Sequence, residues 1–354
     1  MDSCESVSGS DGSILLQEMA RVKSRVDDLI LGELLPSSSS VPEVQLLYRM
    51  MRDYPGRPAK GLRPFLCVAS CRAMAGSEED AILTAACIEL FQHWILIHDD
   101  VEDRSELRRG QPSLHLKYGE ALAINAGDAL HAEMWGCLLR NERTLGHERT
   151  LKILKEFSRM VDHTTEGQHM ELTWVRDNRW DLEESDYLEM VRRKTSWYTV
   201  ASPCRLGAII AGAGEDDLEK ILQFGFKLGQ GFQIQDDVLN LVADSAAYGK
   251  VASDDLLEGK RTLMLLRLLR VASPGERTRL TAVMNKRREE KTAEDIGFVL
   301  DLMKAHGTID YAEKRAKGLV EEALSVMGTI NWRGDSPSRR LLEAAARFAV
   351  ERKW

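Results

Sequence analysis

Apolar residues in this chain return every three or four positions rather than every second one. Ile14, Leu15, Met19, Val22, Val26 and Ile30 follow that spacing in one segment, and Leu188, Val191, Trp197 and Tyr198 in another. A 3.6-residue period puts such residues on one face of a helix. Only nine prolines interrupt the 354 residues, and alternating apolar and polar strand patterns are scarce, so the chain reads as all-α. Helix starts are expected at Ser77 to Asp80, where "SEED" has the capping-box pattern, and at Ser185. Turn signals fall at 36–40, 53–61, 108–113, 211–217, 273–276 and 333–338. None has the length of an interdomain linker and no internal repeat appears. The expectation is one helical domain over 14–354 behind a polar, acidic tail over 1–13 that is read as disordered.

Within that helical pattern the charge is not evenly spread. "ELFQHWILIHDDVEDRSELRRG", residues 89 to 110, packs Asp99, Asp100, Glu102 and Asp103 behind an apolar run and follows them with two arginines. On a helix Asp99 and Asp103 share a face, with Gln92 and Ile95 on the same stripe. Two carboxylates so placed can take a hard divalent cation. Magnesium commonly keeps only one or two protein carboxylates and completes its shell with water and phosphate oxygens, so an open carboxylate site points to a phosphorylated ligand. "GFQIQDDVLN", residues 231 to 240, repeats the device with Asp236 and Asp237, Gln233 lying one turn before. Either cluster alone has even odds of being a solvated helix end; the pair moves the balance to a site.

Cations follow the same segments: Lys60 and Arg63 in "AKGLRP", Arg108 and Arg109 after the first cluster, Lys194 before Thr195, and Lys250 and Lys260 after the second. Arginine offers paired donors to phosphate and lysine a mobile point charge, so gathered together they would hold a diphosphate. Taken singly each is more often a surface charge. The net charge of −8 disfavours a general nucleic-acid binder. Six cysteines (Cys4, Cys67, Cys71, Cys87, Cys137 and Cys204) lack a C-x-x-C pair and read as reduced thiols in a cytoplasmic protein. The start of the chain lacks the basic and apolar regions of a signal peptide, and no apolar run is read as reaching the roughly 18 residues of a membrane span.

In order and spacing these residues resemble the trans-type isoprenyl diphosphate synthases. "DDVEDRSELRRG" fits that family's first aspartate-rich motif and "FQIQDDVLN" resembles its second, with "KGLRP", "AGDAL", "EGQ", "KT" and "GK…DLLEGKRT" in the family's sequence. The resemblance implies a single all-α domain of long helices around a central cavity, as a homodimer. It implies magnesium, three ions per site with manganese as a substitute, on Asp99, Asp103 and Asp236. Arg108, Lys194, Gln233 and Lys250 would contact an allylic diphosphate (dimethylallyl, geranyl or farnesyl), with Lys260 nearby. Lys60, Arg63, Gln92 and Arg109 would hold isopentenyl diphosphate, and Lys194 and Thr195 would steady an allylic cation. Departures from the family pattern are Ala59, Gly61, Glu171 and Asn240.

In such enzymes the product grows away from the first aspartate motif, and side chains one turn earlier form its floor. Phe91, Trp94 and Ile95 occupy that region; Ile95 shares the aspartate stripe whereas Trp94 points away from it, and core packing for Phe91 and Trp94 has even odds. An aromatic at the fifth position before Asp99 with a smaller residue at the fourth resembles geranylgeranyl synthases, so a twenty-carbon product is expected, with fifteen close behind and twenty-five as a further alternative. Rivals are a class I terpene cyclase, which would need a different second motif and no Lys60 or Arg63, a head-to-middle condensing enzyme, and a non-catalytic regulatory subunit, which would be expected to have lost its aspartates.

Overall fold

The computed structural model describes residues 9–242 and 253–352. The first half runs α1 (Gly9–Leu29), α2 (Pro42–Asp53), α3 (Leu62–Ala73), α4 (Glu78–Glu102), α5 (Leu114–Tyr118), α6 (Glu120–Leu139) and α7 (Glu142–Arg176). The second half runs α8 (Glu184–Val191), a π-helical stretch Arg192–Ala201, α9 (Ser202–Ile210), α10 (Glu215–Val242), α11 (Asp254–Glu258), α12 (Leu263–Val271), α13 (Pro274–Met284), α14 (Ala293–Ala305), α15 (Thr308–Met327) and α16 (Ser336–Glu351). The fold is all-α as the periodicity requires. The only strands among the described residues are a hairpin of Leu107–Arg108 and Gln111–Pro112, which the helical pattern did not foreshadow.

The expected periodic face is buried at Leu15, Met19, Val22 and Val26 of α1 and at Ile30 just past its end, whereas Ile14 is exposed. α1 starts at Gly9, so the boundary expected at 14 falls inside a helix; the rest of the expected tail, 1–8, lies outside the described residues. Two capping expectations change. Ser77 is the N-cap of α4 but its side chain makes no cap hydrogen bond, while α8 is capped by Glu183 and Asp186 rather than Ser185. The first-turn acids Glu78 and Glu79 are engaged by Arg21 and Arg25 of α1, so ion pairs hold this end of α4 to α1.

α10 runs through the middle, packed on α15 and on the π-helical stretch, while α4 packs between α6 and α3. α4 is buried over most of its surface and, alone among the described residues, is long and apolar enough to cross a membrane; 72% of that window is buried inside the protein. Its length exceeds the ten-residue run at 89–98 because the apolar stretch begins upstream, at Ala81. Five cysteines (Cys67, Cys71, Cys87, Cys137 and Cys204) are buried and unpaired, as small core residues would be. Cys4 lies outside the described residues.

The π-helical stretch carries Lys194 and Thr195, and two neighbours reach it only because they present glycines. A Cβ at Gly167 of α7 would fall 2.1 Å from the Lys194 backbone nitrogen, and one at Gly229 of α10 2.5 Å from Ser196 Cα. Such backbone contact leaves no room for a methyl group. Gly167→Ala is expected to lower unfolding free energy by about 1–3 kcal/mol, the usual cost of overpacking, measured by denaturant titration; unchanged stability would show that the helices separate freely.

Candidate active site

A cavity of about 510 Å³ opens between the N-terminus of α3, the C-terminal half of α4, α7, the π-helical stretch, α10 and the end of α16. Its lining includes Lys60, Arg63, Gln92, Ile95, Asp99, Arg108, Arg109, Lys194, Thr195, Gln233, Asp236 and Lys260. Sequence positions far apart thus converge on one space. Lys250 lies outside the described residues, and Asp103 faces a neighbouring cavity that shares Glu171 and Lys260 with the first.

The first acid cluster occupies the C-terminal end of α4, with Asp103 as its C-cap. Carbonyls at a helix C-terminus carry partial negative charge, so carboxylates there are repelled unless cations answer them. Asp100 is fully buried and takes the Tyr54 hydroxyl and the fork of Arg108, whose Nε lies 2.9 Å from Oδ1. This makes Asp100 the anchor of Arg108, which also reaches Asp99 Oδ2 at 3.2 Å. Asp99 Oδ1 further receives Gln168 Nε2 at 3.3 Å and lies 3.5 Å from Lys194 Nζ. Lys260 Nζ lies 2.7 Å from Asp103 Oδ2 and 2.7 Å from Glu258 Oε2. Burial works against charge on Lys194, but Glu171 and Asp99 outweigh it and raise its pKa. Lys260 is raised likewise by Asp103 and Glu258 against burial. Both lysines are fully charged at neutral pH.

The arginine pair is presented by the short hairpin. Arg109 and Gly110 form its two-residue turn, both with positive φ, 54° and 73°, the combination a tight hairpin turn demands. Arg57 pins it by donating to Arg108 O at 2.8 Å and Pro112 O at 2.9 Å. Burial lowers the pKa of Arg109, partly offset by Glu89.

On α10, Asp236 pairs with Arg352 at 3.1 Å. Asp237 instead turns inward, accepting from Tyr187 Oη at 2.7 Å and Gln233 Nε2 at 2.7 Å. Burial pushes Asp237 up to about 7, opposed by those two hydrogen bonds. Gln233 is itself held by the Thr195 hydroxyl at 2.8 Å, tying the π-helical stretch to the second cluster. A π-helical turn closes i→i−5 bonds in place of the ordinary i→i−4 ones, and such turns are frequent at functional sites.

Three of the four departures are explained locally; nothing in the structure explains Ala59. Asn240 is buried, accepting from Asp255 N at 3.2 Å through its side chain and from Ser253 N at 2.8 Å through its backbone; it ties the end of α10 to the start of α11. Gly61 caps α3 at φ +68°, where a Cβ would fall 2.6 Å from Lys23 Cβ, so a longer side chain has no room there. Glu171 pairs with Lys194.

Ile95 lines the cavity; Phe91 and Trp94 do not. Trp94 stacks on His131 of α6 at 3.9 Å between ring centroids and meets Phe91 edge-on at 5.4 Å. Residues that sequence reasoning missed are Tyr54, Tyr187, Gln168 as the partner of Asp99, and Arg352. The tyrosines read as core aromatics, and nothing in "FAVERKW" marks Arg352.

Among the described residues no three His, Cys, Asp or Glu side chains converge as a metal cage. The donors are carboxylates in ones and twos, a set that suits a hard cation sharing its shell with phosphate oxygens.

Residues 44–303 match the Polyprenyl synthetase family. A geranylgeranyl diphosphate synthase of Sulfolobus acidocaldarius is 33% identical over 83% of this chain and 87% of its own. A geranylfarnesyl diphosphate synthase of Aeropyrum pernix is 34% identical, covering 83% of this chain and 90% of the relative. A crystal structure of geranylgeranyl pyrophosphate synthase from Corynebacterium glutamicum, complexed with isoprenyl diphosphate and magnesium, superposes with a TM-score of 0.86 at 27% identity, covering 96% of this chain and 99% of that one. With most of its length matching the family and its relatives at 33–34% identity, and its helices superposing on a solved member's structure, the chain belongs to the polyprenyl synthetase family.

Proposed function

We propose that this protein is a magnesium-dependent trans-prenyltransferase that joins isopentenyl diphosphate head-to-tail to an allylic diphosphate, giving all-trans geranylgeranyl diphosphate. The observation that carries it is the convergence on one cavity of Asp99 and Asp236 from two helices with six cations, Lys60, Arg63, Arg108, Arg109, Lys194 and Lys260. Two diphosphates and a reactive chain need that combination. A cyclase would have no use for the Lys60 and Arg63 side, and a regulatory subunit none for both aspartate clusters.

Asp99, Asp103 and Asp236 would hold magnesium, which when bound neutralises charge building on a diphosphate leaving group. Arg108, Lys194, Gln233 and Lys260 bind the allylic diphosphate and oppose that same charge, so the allylic carbon–oxygen bond ionises. Lys60, Arg63, Gln92 and Arg109 orient isopentenyl diphosphate so that its double bond attacks the allylic carbon. Loss of a proton to the departing diphosphate restores an alkene. Thr195 and the adjoining backbone face the cation, and the apolar lining at Leu96, Met190, Tyr198 and Phe232 keeps water from it.

The name of the Sulfolobus relative supports twenty carbons, and that of the Aeropyrum relative makes twenty-five the nearest alternative. Exposed Leu116, Leu122, Ile124 and Leu139 along α5 and α6 offer a surface that a second copy would cover, in accord with a homodimer. Buried unpaired cysteines accord with a reducing, cytoplasmic setting.

Incubation with magnesium, isopentenyl diphosphate and each allylic primer, followed by dephosphorylation and mass analysis, should yield a linear C20 prenol; cyclic or branched products would contradict the proposal. In the same assay Ile95→Ala should lengthen the product. Trp94→Ala, which removes packing rather than lining, should leave its length unchanged while costing about 3–5 kcal/mol of stability.

Lys60 supplies a pH test. Burial and then the nearby Arg352 lower its pKa to about 8. The charged form, present below that value, binds the diphosphate, so kcat/KM for isopentenyl diphosphate should fall as pH rises through 8. Lys60→Met should show a low kcat/KM without that limb, and the same limb in the variant would assign it elsewhere.

A further inference from the structure

Beside the Arg63 side of the cavity lies a carboxylate that the chemistry above leaves unused. Glu89 stands one turn before Gln92 on α4, is 2% exposed and does not line the cavity. A carboxylate so deeply buried is costly unless hydrogen bonds and cations answer it. Burial pushes its pKa up, while Arg63, Arg109 and Lys23 pull it down; those are two of the three cations of one half of the site plus a lysine from α1.

The contact that links Glu89 to the cavity is the Gln92 amide. Oriented as its neighbours require, its nitrogen donates to Glu89 Oε1 at 3.0 Å and its oxygen accepts from Arg63 Nη1 at 2.7 Å. The opposite orientation would set a carbonyl against a carboxylate and an NH₂ against a guanidinium. Arg63 is fixed from two further directions: Nη2 donates to Thr199 Oγ1 at 2.8 Å, and the guanidinium lies 4.5 Å over the Tyr198 ring. Arg63 is itself a lining residue of the cavity, so a guanidinium held in this way is presented to a ligand there.

We propose that Glu89 is a positioning residue for the isopentenyl diphosphate subsite, acting through Gln92. By accepting from the Gln92 amide it turns the Gln92 carbonyl toward Arg63 and holds that guanidinium in place for the diphosphate. The relay ends on Arg63 and leaves the cluster of Asp99, Asp103, Lys194 and Lys260 untouched. A defect in it should therefore be felt by one substrate and not the other. The inference rests on Arg63 and Gln92 being isopentenyl diphosphate ligands.

The test combines calorimetric binding of isopentenyl diphosphate without metal with steady-state KM values for both substrates. Glu89→Leu should weaken isopentenyl diphosphate binding about tenfold, the scale of one lost hydrogen bond in a charged network. The KM for the allylic diphosphate should stay within about twofold, the spread expected of uncoupled sites. Glu89→Gln keeps an acceptor for the Gln92 amide and should restore most of the affinity. In a Gln92→Leu background the further change Glu89→Leu should add little, because both act on the same link.

Equal losses for both substrates, with no rescue by Glu89→Gln, would show a merely structural role and overturn the proposal. Unchanged or tighter isopentenyl diphosphate binding in Glu89→Leu would also overturn it, since the carboxylate would then only oppose the anion. A wild-type protein that binds no isopentenyl diphosphate would fail before any variant is made; that result would overturn the assignment of the subsite and this inference with it.

Discussion

The structure depends on a helix that ends in the wrong charges. α4 delivers Asp99, Asp100, Glu102 and Asp103 to its own C-terminus, where the helix dipole already repels anions. An isolated helix would fray there or leave the acids in water. Here the three aspartates are drawn into the protein while Glu102 stays exposed, and the aspartates are answered by groups from other segments: Tyr54 and Arg108 for Asp100, Gln168 and Lys194 for Asp99, Lys260 for Asp103. Removing one partner from a buried pair of this kind commonly costs about 3–5 kcal/mol, so the hairpin, the π-helical stretch and the loop after α11 are bound to α4 by electrostatics as much as by packing. The same charges are the ones a metal and a diphosphate would engage. Stability of the empty site and chemistry of the filled one thus draw on one set of residues.

Division of labour within each acid pair follows from burial. Asp99 and Asp236 line the cavity; Asp100 lies off it, bound to Tyr54 and Arg108, whereas Asp237 shares the lining while its carboxylate accepts from Tyr187 and Gln233. Asp100 and Asp237 thus brace the frame that aims their neighbours. A similar layering sets Gln92 at the cavity and Glu89 behind it.

How much of this was legible beforehand depends on whether a residue's role is local. The α1 stripe and the all-helical class follow from period alone, because one face of each helix must be buried whatever it packs against. The acid clusters and most of their cations stood out through type and spacing, and the cavity does gather Lys60, Arg63, Arg108, Lys194 and Lys260. What stayed hidden required knowledge of the third dimension. Tyr54 and Tyr187 look like any core aromatic until their hydroxyls meet an aspartate. Arg352 lies more than a hundred residues from its partner Asp236. The hairpin turn at Arg109 and Gly110 needs two positive φ values that a pattern of charges does not announce. Trp94 carried even odds as a wall of the cavity, and its stacking on His131 places it in the packing between α4 and α6.

The most direct test of the account is the paired variant Asp99→Ala with Asp103→Ala, assayed for manganese binding by electron paramagnetic resonance in the presence of inorganic diphosphate, and for magnesium-dependent condensation. The account predicts loss of diphosphate-dependent metal binding and loss of turnover in a protein that remains folded by circular dichroism. Near-normal metal binding and turnover in that variant would contradict it, because the carboxylates around which the site is built would then hold no metal.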